Sequence, residues 1–128
     1  MGERHEQRRL PRTSLPWRIS ARVRDVREVR VLDLSIGGTC LEHLGLLRPG
    51  ARCELVLPTM LGGLTLSAHV AWCSVRGRRR GFDGERHLLS HSGLRFSQLT
   101  AAQHATLTGA LQRVTTRRLT LDRRQGSA

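Results

Sequence analysis

The stretch Gly62-Gly63-Leu64-Thr65-Leu66-Ser67-Ala68-His69-Val70-Ala71-Trp72 decides the fold class. After the paired glycines, Leu64, Leu66, Ala68, Val70 and Trp72 hold every second position. That spacing gathers one set of side chains on one face of an extended strand and predicts a long, half-buried β-strand. Residues 76–86 follow, with a basic cluster and the glycines Gly77, Gly81 and Gly84, and read as an exposed loop joining two strands of a hairpin. A closing strand is expected over residues 92–96. Upstream, Ala51, Cys53, Leu55 and Leu57 alternate until Pro58 stops them, and the turn Arg48-Pro49-Gly50 precedes them. Residues 39–43 and 29–34 read as shorter strands. Ile19, Ala21 and Val23 alternate with Arg18, Ser20, Arg22 and Arg24, so that the arginines face water.

The chain end changes period. Thr100 with Gln103 three positions on forms a capping-box signature, and Leu107, Ala110, Leu111 and Val114 recur at three- and four-residue spacing. They predict an amphipathic helix over 101–118 that packs on the sheet, with Arg113, Arg117 and Arg118 near the negative end of its dipole. The pattern is therefore mainly β: about six antiparallel strands, closed into a barrel so that no edge stays unpaired, plus one C-terminal helix. Residues 1–16 are polar, arginine-rich and broken by Pro11 and Pro16, and read as a mobile arm. Residues 17–120 form the barrel and helix, and 121–128 a tail.

A chain of 128 residues is one domain, and 38% hydrophobic residues suffice for a modest core. Its formal net charge is +12, and every one of its 22 basic side chains is arginine. Arginine's planar fork suits bidentate contact with phosphates and guanine edges, which makes an anionic partner the leading expectation. No apolar run approaches the roughly 18 residues of a spanning helix, and the charged start lacks a signal peptide's apolar centre, so a cytoplasmic protein without a membrane segment is expected. Cys40, Cys53 and Cys73 are far apart and read as small core residues rather than as a disulfide framework or zinc site.

Two motifs could carry binding. Asp33-Leu34-Ser35-Ile36-Gly37-Gly38 sits at a strand-to-strand turn, where a carboxylate, a hydroxyl and backbone amides can converge on one ligand. A turn stabilised by its own Asp and Ser side chains is the plainer reading of the same residues. Composition alone gives about 0.03 expected matches to this Asp-x-Ser-x-x-Gly spacing, so the match is informative. Arg8 and Arg12, four apart, could grip a phosphodiester or the O6/N7 edge of guanine. This second spacing says little by itself, because about four such arginine pairs are expected from composition.

The order of these features gives them weight. Arg8-Arg9-Leu10-Pro11-Arg12, then strands, then Asp33 to Gly38, then the long strand through Ala68-His69-Val70-Ala71-Trp72, and finally Ser92 to Phe96 before a capped helix, resembles a PilZ domain over about residues 6 to 117. The resemblance implies a six-stranded antiparallel β-barrel with a flanking helix and binding of the bacterial second messenger cyclic di-GMP. Carried over by position, it implies that Arg8 and Arg12 clamp guanine and phosphate, with Arg9 as an auxiliary contact. Asp33, Ser35, Gly37 and Gly38 would form the second half of the pocket, the glycines leaving space for the purine. Gln7 stands just before the arginine pair, where residue identity in this family influences whether one ligand or a stacked pair binds, so stoichiometry stays open. The implied mechanism is closure of the arm onto the barrel, creating a surface that an unidentified downstream protein reads.

An enzyme is the weakest alternative. The six histidines are scattered, Cys40 and His43 lack further metal ligands, and no nucleophile elbow, P-loop or carboxylate pair is present. No metal or cofactor is expected. Nucleic-acid binding by a basic barrel is the stronger rival, weakened by only two Trp, two Phe and no Tyr to stack bases, so no specific nucleic acid is expected. A PilZ-like adaptor that binds protein but no nucleotide is a third reading.

Overall fold

The computed structural model describes residues 12–126, with the side chains of Pro16, Trp17 and residues 117–126 excepted. Arg8, Arg9 and the rest of the expected arm up to Pro11 lie outside the described residues. Strands β1 (Thr13–Ser20), β2 (Arg22–Val23), β3 (Arg27–Leu34), β4 (Gly38–Leu44), β5 (Arg52–Val56), β6 (Thr65–Arg80) and β7 (Arg86–Phe96) precede one helix, α1 (Ala101–Gly126). β1 begins at Thr13, inside the segment expected to be arm, and α1 continues eight residues past its expected end near 118.

All seven strands belong to one antiparallel sheet in the order β1-β3-β4-β7-β6-β5-β2. The outermost positions, β1 and β2, are successive pieces of one chain segment separated only by Ala21, whose amide donates to the Val29 carbonyl. The first segment of the chain thus pairs with β3 through one piece and with β5 through the other. Counted as one stave, β1 and β2 reduce the seven strands to the six expected. The sheet curls so that its two margins are one continuous piece of backbone, which leaves little edge to template aggregation.

The residues expected to face inward do so along most of each strand. Val31, Leu34, Leu41, Leu55, Leu66, Ala68 and Leu107 have no accessible surface. Leu107, Ala110 and Val114 supply the buried face of α1, with Leu111 half-buried beside them. The capping box is formed in both directions: the Gln103 amide donates to Thr100 Oγ1 at 3.1 Å, and the Thr100 amide to Gln103 Oε1 at 2.9 Å. Each satisfies a backbone donor that the first helical turn leaves without a partner.

The main correction concerns residues 76–86. They are not a loop: β6 runs to Arg80 and β7 starts at Arg86, in register from Arg80↔Arg86 through Gly77↔Leu89, and only residues 81–85 turn. Arginine and glycine are poor strand formers on an exposed surface, and here the pairing of two long strands overrides that preference.

Candidate ligand-binding site

Across the middle of the sheet, four residues on neighbouring strands stand in one row. Asp33 of β3 pairs with Cys40 of β4, Cys40 with Gly93 of β7, and Gly93 with Trp72 of β6. Strict alternation would turn both ends of this row inward, because Val29 and Val31 precede Asp33 on the core face, and Leu66, Ala68 and Val70 precede Trp72. A register shift between Val31 and Asp33, and another between Val70 and Trp72, each insert one extra residue, Leu32 and Ala71 respectively. Such bulges re-aim the next side chain. Asp33 and Trp72 therefore reach the outer surface at opposite ends of the row.

The Asp33 carboxylate is fixed from two sides. Its Oδ1 accepts from the Cys40 amide at 3.1 Å and from Arg12 Nη1 at 3.0 Å. Thr39 Oγ1 donates to the Asp33 carbonyl at 2.6 Å. Arg12, immediately before β1, is thereby held beside the row, with its side chain 38% accessible. Such an exposed ion pair contributes little stability. Its interest lies in a cation and a carboxylate that a ligand can address together.

Ser35, Gly37 and Gly38 shape the turn that follows. Ser35 Oγ accepts from the amides of Gly37 and Gly38, both at 3.1 Å, and donates to the Gly38 carbonyl at 3.3 Å. The Gly38 carbonyl also accepts from the Ser35 amide, and the Gly37 carbonyl from the Phe96 amide. Ser35 is buried and its hydroxyl is fully engaged within the turn. A Cβ on Gly38 would lie 2.1 Å from the Leu94 carbonyl oxygen, so its missing side chain makes room for β7. The plainer turn reading of Ser35 is the one the geometry displays, while Asp33 faces outward.

Sequence reasoning placed Trp72 on the core face, where it is not. Its indole lies flat over Gly93: a Cβ there would sit 2.2 Å from Trp72 Nε1 and 2.6 Å from Cε2. With 38% of its surface accessible, the indole offers an aromatic face beside the row. Burial and the Asp33 charge push the Cys40 thiol up to about 11, against the opposing pull of Arg12 and Arg76, which places Arg76 near the same surface. The only signal in the sequence would have been the Trp–Gly pairing itself, and that needs the register of the bulged strand.

The sequence profile of the PilZ domain matches residues 3–113. This chain belongs to the PilZ domain family. Among solved structures, the PilZ domain of YcgR from Escherichia coli with c-di-GMP is similar at 19% identity and a TM-score of 0.66, covering 91% of this chain and 98% of that one. The K. pneumonia MrkH–c-di-GMP complex is similar at 19% identity and a TM-score of 0.64, covering 91% of this chain and 54% of that one. At these identities the likeness shows a shared fold. No curated protein matches the sequence significantly. Among the described residues of this PilZ domain no group of three or more His, Cys, Asp or Glu could hold a metal, and no helix is long and apolar enough to cross a membrane.

Proposed function

We propose that this PilZ domain is a receptor for cyclic di-GMP, acting as a cytoplasmic binding protein rather than a catalyst. The observation that carries the reading is the outward row that begins at the Arg12–Asp33 pair and ends at the Trp72 indole. Three strand spacings of about 4.8 Å separate its ends, roughly 14 Å, a span suited to a ligand with two bases and two phosphates. Asp33 accepts from the guanine N1 and N2 donors, Arg12 takes a phosphate or the guanine O6/N7 edge, and Trp72 stacks on a base. Ser35 holds the turn through the amides of Gly37 and Gly38. YcgR and MrkH, whose structures contain c-di-GMP, share the fold, which supports the same ligand class here.

In this reading Arg8 and Arg9 join Arg12 on the bound ligand, and the ordered segment becomes a surface that a downstream protein reads. Titration calorimetry at about 200 mM salt, where non-specific phosphate contacts are weakened, tests the ligand. Micromolar or tighter binding of cyclic di-GMP is expected, with GTP inert and the signal lost in Arg12→Ala and Asp33→Ala. Trp72→Ala should cost about 1–3 kcal/mol of binding. Absence of wild-type binding, or equal binding of GTP, would refute the receptor reading. Hydrogen exchange that leaves residues 6–13 unprotected on ligand addition would remove the closure step.

A further inference from the structure

The end of the sheet away from Asp33 carries a second built surface. The hairpin turn between β6 and β7 is clamped onto the start of β3. Glu28 Oε2 accepts from the Phe82 amide at 2.7 Å, and Glu28 Oε1 from Arg79 at 3.2 Å. Arg27 bonds Asp83 at 2.6 Å, and Asp83 in turn accepts from the Glu85 amide and faces His87 Nε2. Glu28 adopts φ 51°, a left-handed conformation uncommon for a residue with a side chain. Strain of this kind persists only where its surroundings over-determine it. What the clamp presents is Phe82, 91% accessible and the most exposed large apolar residue among those described.

Phe82 borders a groove of about 760 Å³ at the seam where β1 passes into β2. Aliphatic side chains line its floor, including Val26, Val29 and Val56, and the arginines Arg18, Arg22 and Arg24 stand along it. These three are exposed, and among the described residues no ion pair engages any of them. Of the two acids lining the groove, Glu28 is already taken by Arg79, which leaves Glu54 against three free guanidiniums. An apolar floor, an exposed aromatic on a turn whose backbone Glu28 holds, and uncompensated positive charge complement one chemistry: a peptide segment that combines carboxylates with large aliphatic or aromatic side chains. A single-stranded nucleic acid fits less well, since it would find one aromatic and an aliphatic floor instead of successive stacking platforms.

We infer that the Phe82 tip and the adjoining arginine groove form a docking site for an acidic, apolar segment of a partner protein. The site is separate from the proposed ligand site: Leu44 and Cys40, the β4 partners of Arg27 and Asp33, lie four residues apart, roughly 13 Å at a rise of about 3.3 Å per residue. It stands whether or not cyclic di-GMP is the ligand.

The test is selection of a random twelve-residue peptide library, displayed on phage, against the full-length protein, followed by anisotropy titration of the enriched peptides. Enriched sequences should pair several Asp or Glu with Leu, Ile, Phe or Trp. Their affinity should fall tenfold or more in Phe82→Ala and in Arg22→Ala/Arg24→Ala, and stay unchanged in Arg12→Ala. All the substituted groove residues are exposed, so thermal melting and cyclic di-GMP titration should match the wild type and report an intact fold and ligand site independently. The inference is overturned if no sequence is enriched, if enriched peptides ignore Phe82, or if a Glu/Ser peptide of equal charge binds as well. A twelve-nucleotide RNA that binds more tightly than any peptide and loses affinity in Phe82→Ala would assign the surface to nucleic acid instead.

Discussion

Gly38→Ala separates two explanations of the Asp33-x-Ser35-x-x-Gly38 motif. If the glycine leaves room for a purine, alanine will reduce ligand affinity and spare stability. The geometry says the reverse order of effects applies. The new Cβ would stand 2.1 Å from the Leu94 carbonyl oxygen, with the Leu94 carbon and Arg95 Cα at 3.2 and 3.4 Å, and all three are backbone atoms of the paired strand. No side chain can swing aside, so β4 and β7 must part by more than about 1 Å at the Gly38↔Arg95 pair. Overpacking of this kind costs typically about 1–3 kcal/mol. Weakening the adjacent Phe96-to-Gly37 hydrogen bond, 2.9 Å long, adds about 0.5–1.5 kcal/mol. The smaller unfolded-state entropy of alanine returns about 0.4–1 kcal/mol. A net loss of about 2–3 kcal/mol is expected.

Urea unfolding followed by tryptophan fluorescence measures it directly. With a slope of about 1–3 kcal/mol per molar urea, the midpoint should fall by about 1–2 M. Ligand affinity should fall as a consequence, because Ser35 Oγ holds the turn partly through the Gly38 amide. A variant with unchanged midpoint and abolished ligand binding would refute this reasoning and restore the purine-clearance explanation.

Gly109→Ala should move stability the other way: its Cβ would meet only Arg113 Nη1 at an ordinary 3.5 Å, in the middle of α1. A gain of about 0.5–1 kcal/mol in the same urea assay is expected, and a loss would show that α1 packs more tightly there than described. Burial holds the His43 pKa below its ordinary 6.5, helped by the neighbouring His91 charge and opposed by the bond to the Leu44 carbonyl. The unfolded chain therefore binds the extra proton first, and stability present above about pH 6.5 is lost on acidification, by up to about 1.4 kcal/mol per pH unit. Urea midpoints from pH 7.5 to 5.5 should fall in the wild type and flatten in His43→Gln; parallel slopes would exclude His43 as the source. With its pKa raised from 9.0 to about 11, the Cys40 thiol should react with iodoacetamide about 90-fold more slowly at pH 8 than an ordinary cysteine, the rate rising about tenfold per pH unit to pH 10. Mass mapping of the modified peptide checks it, and a pH-independent rate would contradict the buried, Asp33-facing thiol.

How much the sequence disclosed follows from which rules each region obeys. Helix α1 obeys local ones: Thr100 and Gln103 cap each other, Leu107, Ala110 and Val114 share a face, and all five were legible without tertiary information. The strands obey alternation until a bulge intervenes. Leu66, Ala68 and Val70 point inward as the period predicts, and Trp72 does not, because Ala71 is an extra residue with no partner in β7. A bulge is set by the partner strand's register, which one strand's sequence does not carry. The same limit affects Asp33, whose motif was legible although the reason it faces outward, the extra residue Leu32, was not. The hairpin at residues 76–86 failed for the opposite reason: its arginines and glycines say loop, and only non-local pairing makes them strand.

The charge of this PilZ domain is similarly hard to read as a total. A net +12 suggests a diffuse polyanion binder, yet the arginines divide by position. Arg27 with Asp83, and Arg79 with Glu28 and Glu42, hold the hairpin against β3 and β4, while Arg30 faces Glu42 between β3 and β4. Arg12 is matched to the Asp33 carboxylate at the start of the outward row. Among the described residues no ion pair engages Arg18, Arg22 or Arg24, which line the groove beside an aliphatic floor and the exposed Phe82. A diffuse binder needs free cations spread along a continuous track. Here Arg12 at the proposed ligand site and Arg79 in the hairpin are oriented by specific acids, Arg18, Arg22 and Arg24 flank apolar surface, and Arg76, Arg78, Arg80 and Arg86 are exposed along the hairpin. What distinguishes the two proposed recognition sites from the general basic surface is therefore not charge but what stands beside it: a carboxylate and an indole at the Arg12 end of the row, and an aliphatic floor with Phe82 in the groove.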